Sequence, residues 1–149
     1  MAEKEVVNVI KEWAVTYIKH RDIMLRTLIE INDNGNSLTV KYKDKEHLFI
    51  LKPSLEESLI QGLDTKTTSI ITLNSKENFN FLIDNWKKLV KFENLTFFFI
   101  NPHSELETKW FISPYVHNKI CDEDSFKQGL KSMFDTVEKT SEKEIMKKL

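Results

Sequence analysis

Apolar positions in the first thirty residues recur at helical steps. Val6, Ile10, Trp13 (or Ala14), Tyr17, Met24 (or Leu25), Leu28 and Ile31 recur at three- and four-residue steps, with lysines and glutamates filling much of the opposite side. The spacing predicts one helix across the first thirty residues, ~40 Å long at the usual rise per residue. Its broad apolar stripe suits packing on a sheet, and the same stripe would serve a homodimer seam. Asn32-Asp33-Asn34-Gly35-Asn36 ends the run, because Gly and Asn tolerate positive φ and Asn or Asp side chains cap turns.

From there the period changes. Leu38, Val40 and Tyr42 alternate with Thr39, Lys41 and Lys43, a half-buried strand. A polar turn at Lys43-Asp44-Lys45-Glu46 leads to a short apolar run from His47 to Leu51, which completes a hairpin. Pro53 opens a short helix with a capping-box spacing at Ser54 and Glu57, Leu55 and Leu59 inward, and Gly62 to stop it. Thr67 to Leu73 is rich in β-branched residues and predicts a third strand. Asn74 or Ser75 then caps a helix whose Phe79, Leu82, Ile83, Trp86, Leu89 and Val90 share one face.

Leu95 to Ile100 has three consecutive phenylalanines and no charge, the texture of a strand buried on both faces and placed centrally. Asn101 to Glu105 is a loop, and Lys109 to Val116 predicts a further strand, with Pro114 marking an edge or a strand end. Asp122 or Asp124 starts the last helix, which buries Phe126, Leu130, Met133, Phe134 and Val137. The order is helix, strand, strand, short helix, strand, helix, strand, strand, helix. It predicts an α/β (α+β) fold with a mixed sheet of about five strands flanked by helices. Residues 1–137 read as a single globular domain, and 138–149 as a charged C-terminal tail that is frayed or solvated.

Composition narrows the functions. The chain has 149 residues with only three glycines, three prolines and one cysteine, so phosphate-cradling glycine loops and a disulfide framework are both excluded. Lys plus Arg total 22 against 23 acids, which gives no bulk attraction to nucleic acid or anionic membrane. No apolar run approaches the ~18 residues of a membrane span, and the charged Met1–Glu5 segment carries no signal core. A cytoplasmic protein without membrane association is expected.

The stretch Thr68 to Pro114 carries a family likeness. A strand, a helix ending Trp86-Lys87-Lys88-Leu89-Val90-Lys91-Phe92, then Leu95-Thr96-Phe97-Phe98-Phe99-Ile100, then Trp110-Phe111-Ile112 resembles archaeal Holliday junction resolvases. The likeness rests on element order and apolar texture over roughly Val6 to Pro114, and it implies a restriction-endonuclease-like fold. Such nucleases place an acid on the second strand and an acid, any residue and a lysine on the third, to hold a divalent metal and position water. The second predicted strand, His47 to Leu51, has no carboxylate. The third ends Thr72-Leu73-Asn74 where acid and lysine should stand. The resemblance therefore implies a degenerate nuclease-like fold.

Two other segments match acid-any-lysine, Asp64-Thr65-Lys66 before the third strand and Glu107-Thr108-Lys109 at the start of the last. Glu107 and Lys109, beside Asn101 and His103, define an alternative reading as a metal-dependent nuclease with relocated ligands. His20, His47, His103 and His117 are scattered, and His117 with Cys121 lacks a second ligand pair, so no metal site or cofactor is assigned. Asn94-Leu95-Thr96 fits a glycosylation acceptor, but at the start of a buried strand it reads as accidental. Trp13, Trp86 and Trp110 each lie in an apolar stripe and read as core anchors.

Lys41, Lys43 and Lys45 alternate along the first hairpin, with Lys52 on the next strand and Lys87, Lys88 and Lys91 able to extend the row. Such a row can track phosphates, or it can be a solvated face that discourages edge pairing. The expectation is a non-catalytic binding or interaction module. Its partner would be a protein, or nucleic acid bound weakly, met through these lysines or the exposed side of the first helix.

Overall fold

The computed structural model describes residues 2–120, 122 and 125–149. Cys121 and Asp124, part of the expected His117–Cys121 pair and of the expected last-helix start, lie outside them. Six strands form one mixed sheet in simple sequential order. They are β1 (Leu28–Asp33), β2 (Ser37–Tyr42), β3 (Glu46–Leu51), β4 (Thr68–Leu73), β5 (Leu95–Ile100) and β6 (Lys109–Ile112). β1, β2 and β3 form an antiparallel meander, β3, β4 and β5 run parallel, and β6 returns antiparallel to β5. The parallel pairings follow from helices between the strands, and the antiparallel ones from short turns. The predicted α+β architecture stands, with one strand more than expected.

The extra strand is β1, where a helix was expected. α1 (Ala2–Asp22) stops early without glycine or proline. Asp22 ends it, since its carboxylate accepts from the Thr27 N–H at 3.0 Å, the Thr27 hydroxyl at 2.8 Å and the Leu28 N–H at 2.9 Å. Arg26 adopts φ 52°, a left-handed conformation that reverses the chain into β1. Gly35, at φ 95°, then makes the β1–β2 turn, with its N–H donating to Asp33 Oδ1 at 2.8 Å.

Helices cover both faces. On one, Val6, Val7, Ile10, Ala14 and Ile18 of α1 pack on Leu38, Val40, Phe49, Leu51, Ile71, Leu73, Phe98 and Ile100. The α1 part of the apolar stripe, Val6 to Ile18, thus packs on the sheet. On the other face lie α3 (Lys76–Asp84), α4 (Trp86–Leu89) and α6 (Phe126–Phe134). Their Phe79, Leu82, Trp86, Leu89, Leu130 and Phe134 meet Ile70, Phe97, Phe99, Trp110 and Ile112. Each such large side chain removed from water contributes roughly 1.5–3 kcal/mol. Every residue of β4 is buried, which makes it the innermost strand. β5 lies beside it, one strand from the edge, and not at the centre as expected.

Several boundaries differ from expectation. α2 (Glu57–Gln61) carries no side-chain cap, because the Ser54 hydroxyl donates to Glu142 Oε2 at 2.9 Å instead of capping the helix. The helix after β4 divides at Asn85 into α3 and α4, with Ser75 Oγ accepting from the Asn78 N–H at the start. β6 ends at Ile112, and Pro114 opens α5 (Pro114–Ile120), since a fixed φ and a missing N–H suit a first helical turn. Residues 138–149 carry α7 (Glu142–Lys147), whose Ile145 is fully buried in the core under α1. No helix among the described residues is long and apolar enough to cross a membrane.

Candidate functional site

In open sheets with parallel strands, ligands commonly enter beyond the carboxyl ends of those strands. Here that end is filled. Asn74, after β4, donates to the Phe134 and Val137 carbonyls at 3.3 and 3.0 Å and accepts from Trp110 Nε1 at 2.7 Å. Asn78 donates to the carbonyls of Pro53 and Leu73 and to Thr72 Oγ1, each at 2.9 Å. Asn101 donates to the Glu138 carbonyl at 3.0 Å. These asparagines are satisfied structural ties that close the crevice.

The opposite end is open. A cleft of about 150 Å³ lies between the last turn of α1 and the β2–β3 turn, with residues of β3 and β4 at its base. Tyr17 and Tyr42 wall it, Arg21 and Lys45 rim it, and His47 and Ser69 form its floor. The rings are braced: Tyr17 stacks on Trp13 at 5.1 Å and meets Phe98 edge-on at 5.4 Å, while His47 stacks on Phe49 at 4.3 Å. Arg21 hydrogen-bonds the Tyr17 hydroxyl at 3.2 Å, and Lys45 Nζ stands 5.3 Å over the Tyr42 ring.

His47 Nε2 and Ser69 Oγ are 2.8 Å apart across the parallel β3–β4 pair. Burial, helped by the charges of Lys45 and Arg21, pushes the imidazole down to about 4, so the ring is neutral at pH 7. Asp22 faces the same cleft. Burial works against its charge, but hydrogen bonds from Leu28 and Thr27 and the nearby Lys43 outweigh it and hold the carboxyl below its usual range. Among the described residues no hydrogen-bond partner reaches His47 Nδ1, and Ser69 is 2% exposed in a central strand. The pair is a polar floor and lacks the orienting third group of an activated nucleophile.

The expected lysine row divides. Lys41 pairs with Glu30 at 3.3 Å across β1 and β2. Lys52 lies at the far end of β3, ~20 Å from Lys45, and pairs with Glu56 at 2.7 Å and Glu3 at 3.7 Å. Lys88 is tied to Glu57 at 2.7 Å. Lys43 and Lys45 stay at the cleft and, like Arg21 and Arg26, have no ion-pair partner among the described residues.

β1 also shifts the strand count on which the nuclease comparison rests. The second strand becomes β2, again without a carboxylate. The third runs into Ile50-Leu51-Lys52, where a lysine stands and isoleucine replaces the acid. Within the relocated set, Glu107 and Lys109 form an ion pair at 3.9 Å, Asn101 Oδ1 accepts from the His103 N–H at 3.0 Å while the Asn101 amide donates to the Glu138 carbonyl, and the His103 side chain is exposed. No group of three His, Cys, Asp or Glu able to hold a metal occurs among the described residues.

Nothing in the sequence pairs Arg21, His47 and Ser69. They lie on three elements, and only the alternating placement of His47 and Phe49 on one strand face hinted at a shared site. No family model, no curated protein and no solved structure matches this chain.

Proposed function

We propose that the protein is a non-catalytic binding module on a degenerate nuclease-like fold, and that it engages single-stranded nucleic acid at the α1 and β2–β3 end. The observation that carries this reading is the cluster of cations without ion-pair partners among the described residues, Arg21 and Lys45 at a cleft walled by Tyr17 and Tyr42 and Lys43 beside its Asp22. Cations neutralise phosphates and release counterions, while aromatic faces accept unstacked bases. A duplex keeps its bases stacked and could offer this cleft only its backbone, so the single strand is the better fit.

The test is a titration of a ten-residue oligothymidylate by fluorescence anisotropy between about 50 and 200 mM salt. Three phosphate contacts predict a slope of roughly −2 in log affinity against log salt. The double change Lys43→Glu, Lys45→Glu should weaken low-salt binding at least tenfold and flatten the slope by roughly 1.4. An unchanged slope in that variant, or no binding at 50 mM salt, overturns the reading. Magnesium- or manganese-dependent cleavage lost in Glu107→Ala would favour the relocated-ligand nuclease instead.

A second reading has its own observation. Ile23, Met24, Leu25 and Ile29 are 61, 89, 68 and 62% exposed around one turn beside these cations. Contiguous exposed aliphatics with a basic rim suit a protein partner with an apolar groove and acidic edges.

A further inference from the structure

An aromatic wall and a cationic rim would bind any single strand without distinction, but the floor of this cleft adds something more selective. His47 is uncharged at neutral pH and hydrogen-bonded at Nε2 to Ser69 Oγ, which leaves Nδ1 without a protein partner among the described residues. Whichever ring nitrogen carries the proton, Nδ1 retains one donor or one acceptor on a residue that lines the cleft. A neutral, directional group suits the edge of a neutral heterocycle better than it suits a phosphate. Asp22 argues in the same direction, since its carboxylate at the cleft wall repels an anion placed deep inside.

Size limits the heterocycle. A cavity of about 150 Å³ is of the volume known to admit one benzene-sized ring. A cleft of that volume takes one nucleobase and not a stacked pair. Rigidity helps as well. Tyr17 is stacked on Trp13, meets Phe98 edge-on and has Arg21 and Lys109 over its ring at 5.8 and 5.6 Å, so this wall is ordered before anything binds and little side-chain entropy remains to be lost.

We infer that this cleft seats one unstacked nucleobase, its ring against Tyr42 and its polar edge on His47 and Ser69, while Arg21 and Lys45 hold the adjoining phosphates. The inference rests on the single-strand reading above and adds a base-sized site to it. A base on a strand and a free nucleotide share this chemistry, and the experiment separates them.

Four probes are titrated against the full chain under identical low-salt conditions: a thymidine decamer, an adenine decamer, an abasic decamer of the same length, and thymidine monophosphate. One seated base predicts that the thymidine and adenine decamers each bind roughly tenfold more tightly than the abasic one. Tyr42→Leu and Ser69→Ala, each checked for folding by circular dichroism, should bring the thymidine decamer toward the abasic affinity while leaving its salt slope intact. Salt-dependent binding that is equal for thymidine and abasic decamers overturns the seat and leaves the single-strand reading standing. Binding of no oligonucleotide overturns both. Monophosphate that binds as tightly as the decamer overturns use on a strand and assigns the seat to a free nucleotide.

Discussion

His47 shows how one buried side chain ties stability to pH. Its pKa in the folded protein, about 4, lies below the ordinary value of 6.5. Between those values the unfolded chain binds a proton that the folded chain refuses, so stability falls as pH drops from 6.5 toward 4 and is flat above. The full shift corresponds to roughly 3 kcal/mol, and because the ring is only half-buried, solvent screening cuts this to about half. Urea unfolding from pH 4.5 to 7.5 should show that acid limb, and His47→Gln should shrink it. What slope remains belongs to His117, which burial also pushes down, and at the acid end to Glu56 and Glu57, whose bonds to Lys52 and Lys88 hold their carboxyls below the usual range. An undiminished limb would show that His47 is not the group responsible. Asn78 gives a second residue-scale expectation. Its amide holds Pro53, Thr72 and Leu73, and its carbonyl accepts the Leu55 N–H at 2.8 Å. Asn78→Ala strands several buried groups and should cost roughly 2–4 kcal/mol in the denaturation midpoint, whereas Asn34→Ala in the exposed β1–β2 turn should cost far less.

At the scale of elements, legibility followed the range of the forces. β2 alternates apolar and polar residues, β3 is a short apolar run, and β5 is apolar on both faces, so their patterns announce burial directly. β1 did not announce itself. Met24, Leu28 and Ile31 continue the three- and four-residue rhythm of α1, while the signals that end the helix are a side-chain cap at Asp22 and a left-handed arginine. Neither has a sequence signature as strong as glycine or proline. α7 was hidden for the opposite reason. Glu142, Lys143, Glu144 and Lys147 make it look solvated, and one fully buried side chain, Ile145, anchors it. The candidate site was half legible: Lys43 and Lys45 stand out in any reading, but His47 and Ser69 meet only through parallel pairing of strands 22 residues apart. The weight placed on Ile145 is testable. Ile145→Ala should cost about 2–5 kcal/mol by leaving a cavity beneath α1, and Met146→Ala, only partly buried, should cost less. Equal small losses in thermal unfolding would mean that α7 contributes little to the core.

For the whole molecule, a net charge of −1 conceals a polar distribution of function. One end of the sheet is sealed by asparagines and α6–α7, and the other gathers cations, two tyrosines and four exposed aliphatics. The two binding readings use neighbouring but separable parts of that open end, and salt affects them with opposite sign. Phosphate contacts weaken as salt rises, whereas apolar contacts persist or strengthen in excluded salts such as sulfate. Met24 and Ile29 lie outside the cleft lining, so the neutral double change Met24→Ser, Ile29→Thr should leave oligothymidylate affinity within about twofold and its salt slope unaltered. The same change should remove any self-association that sulfate promotes, measured by sedimentation velocity at several chain concentrations. A tenfold loss of oligonucleotide affinity in that variant would mean that the aliphatic turn and the cationic cleft form one surface. The protein-docking reading would then gain at the expense of the single strand, because no phosphate contact depends on a methionine thioether or an isoleucine side chain.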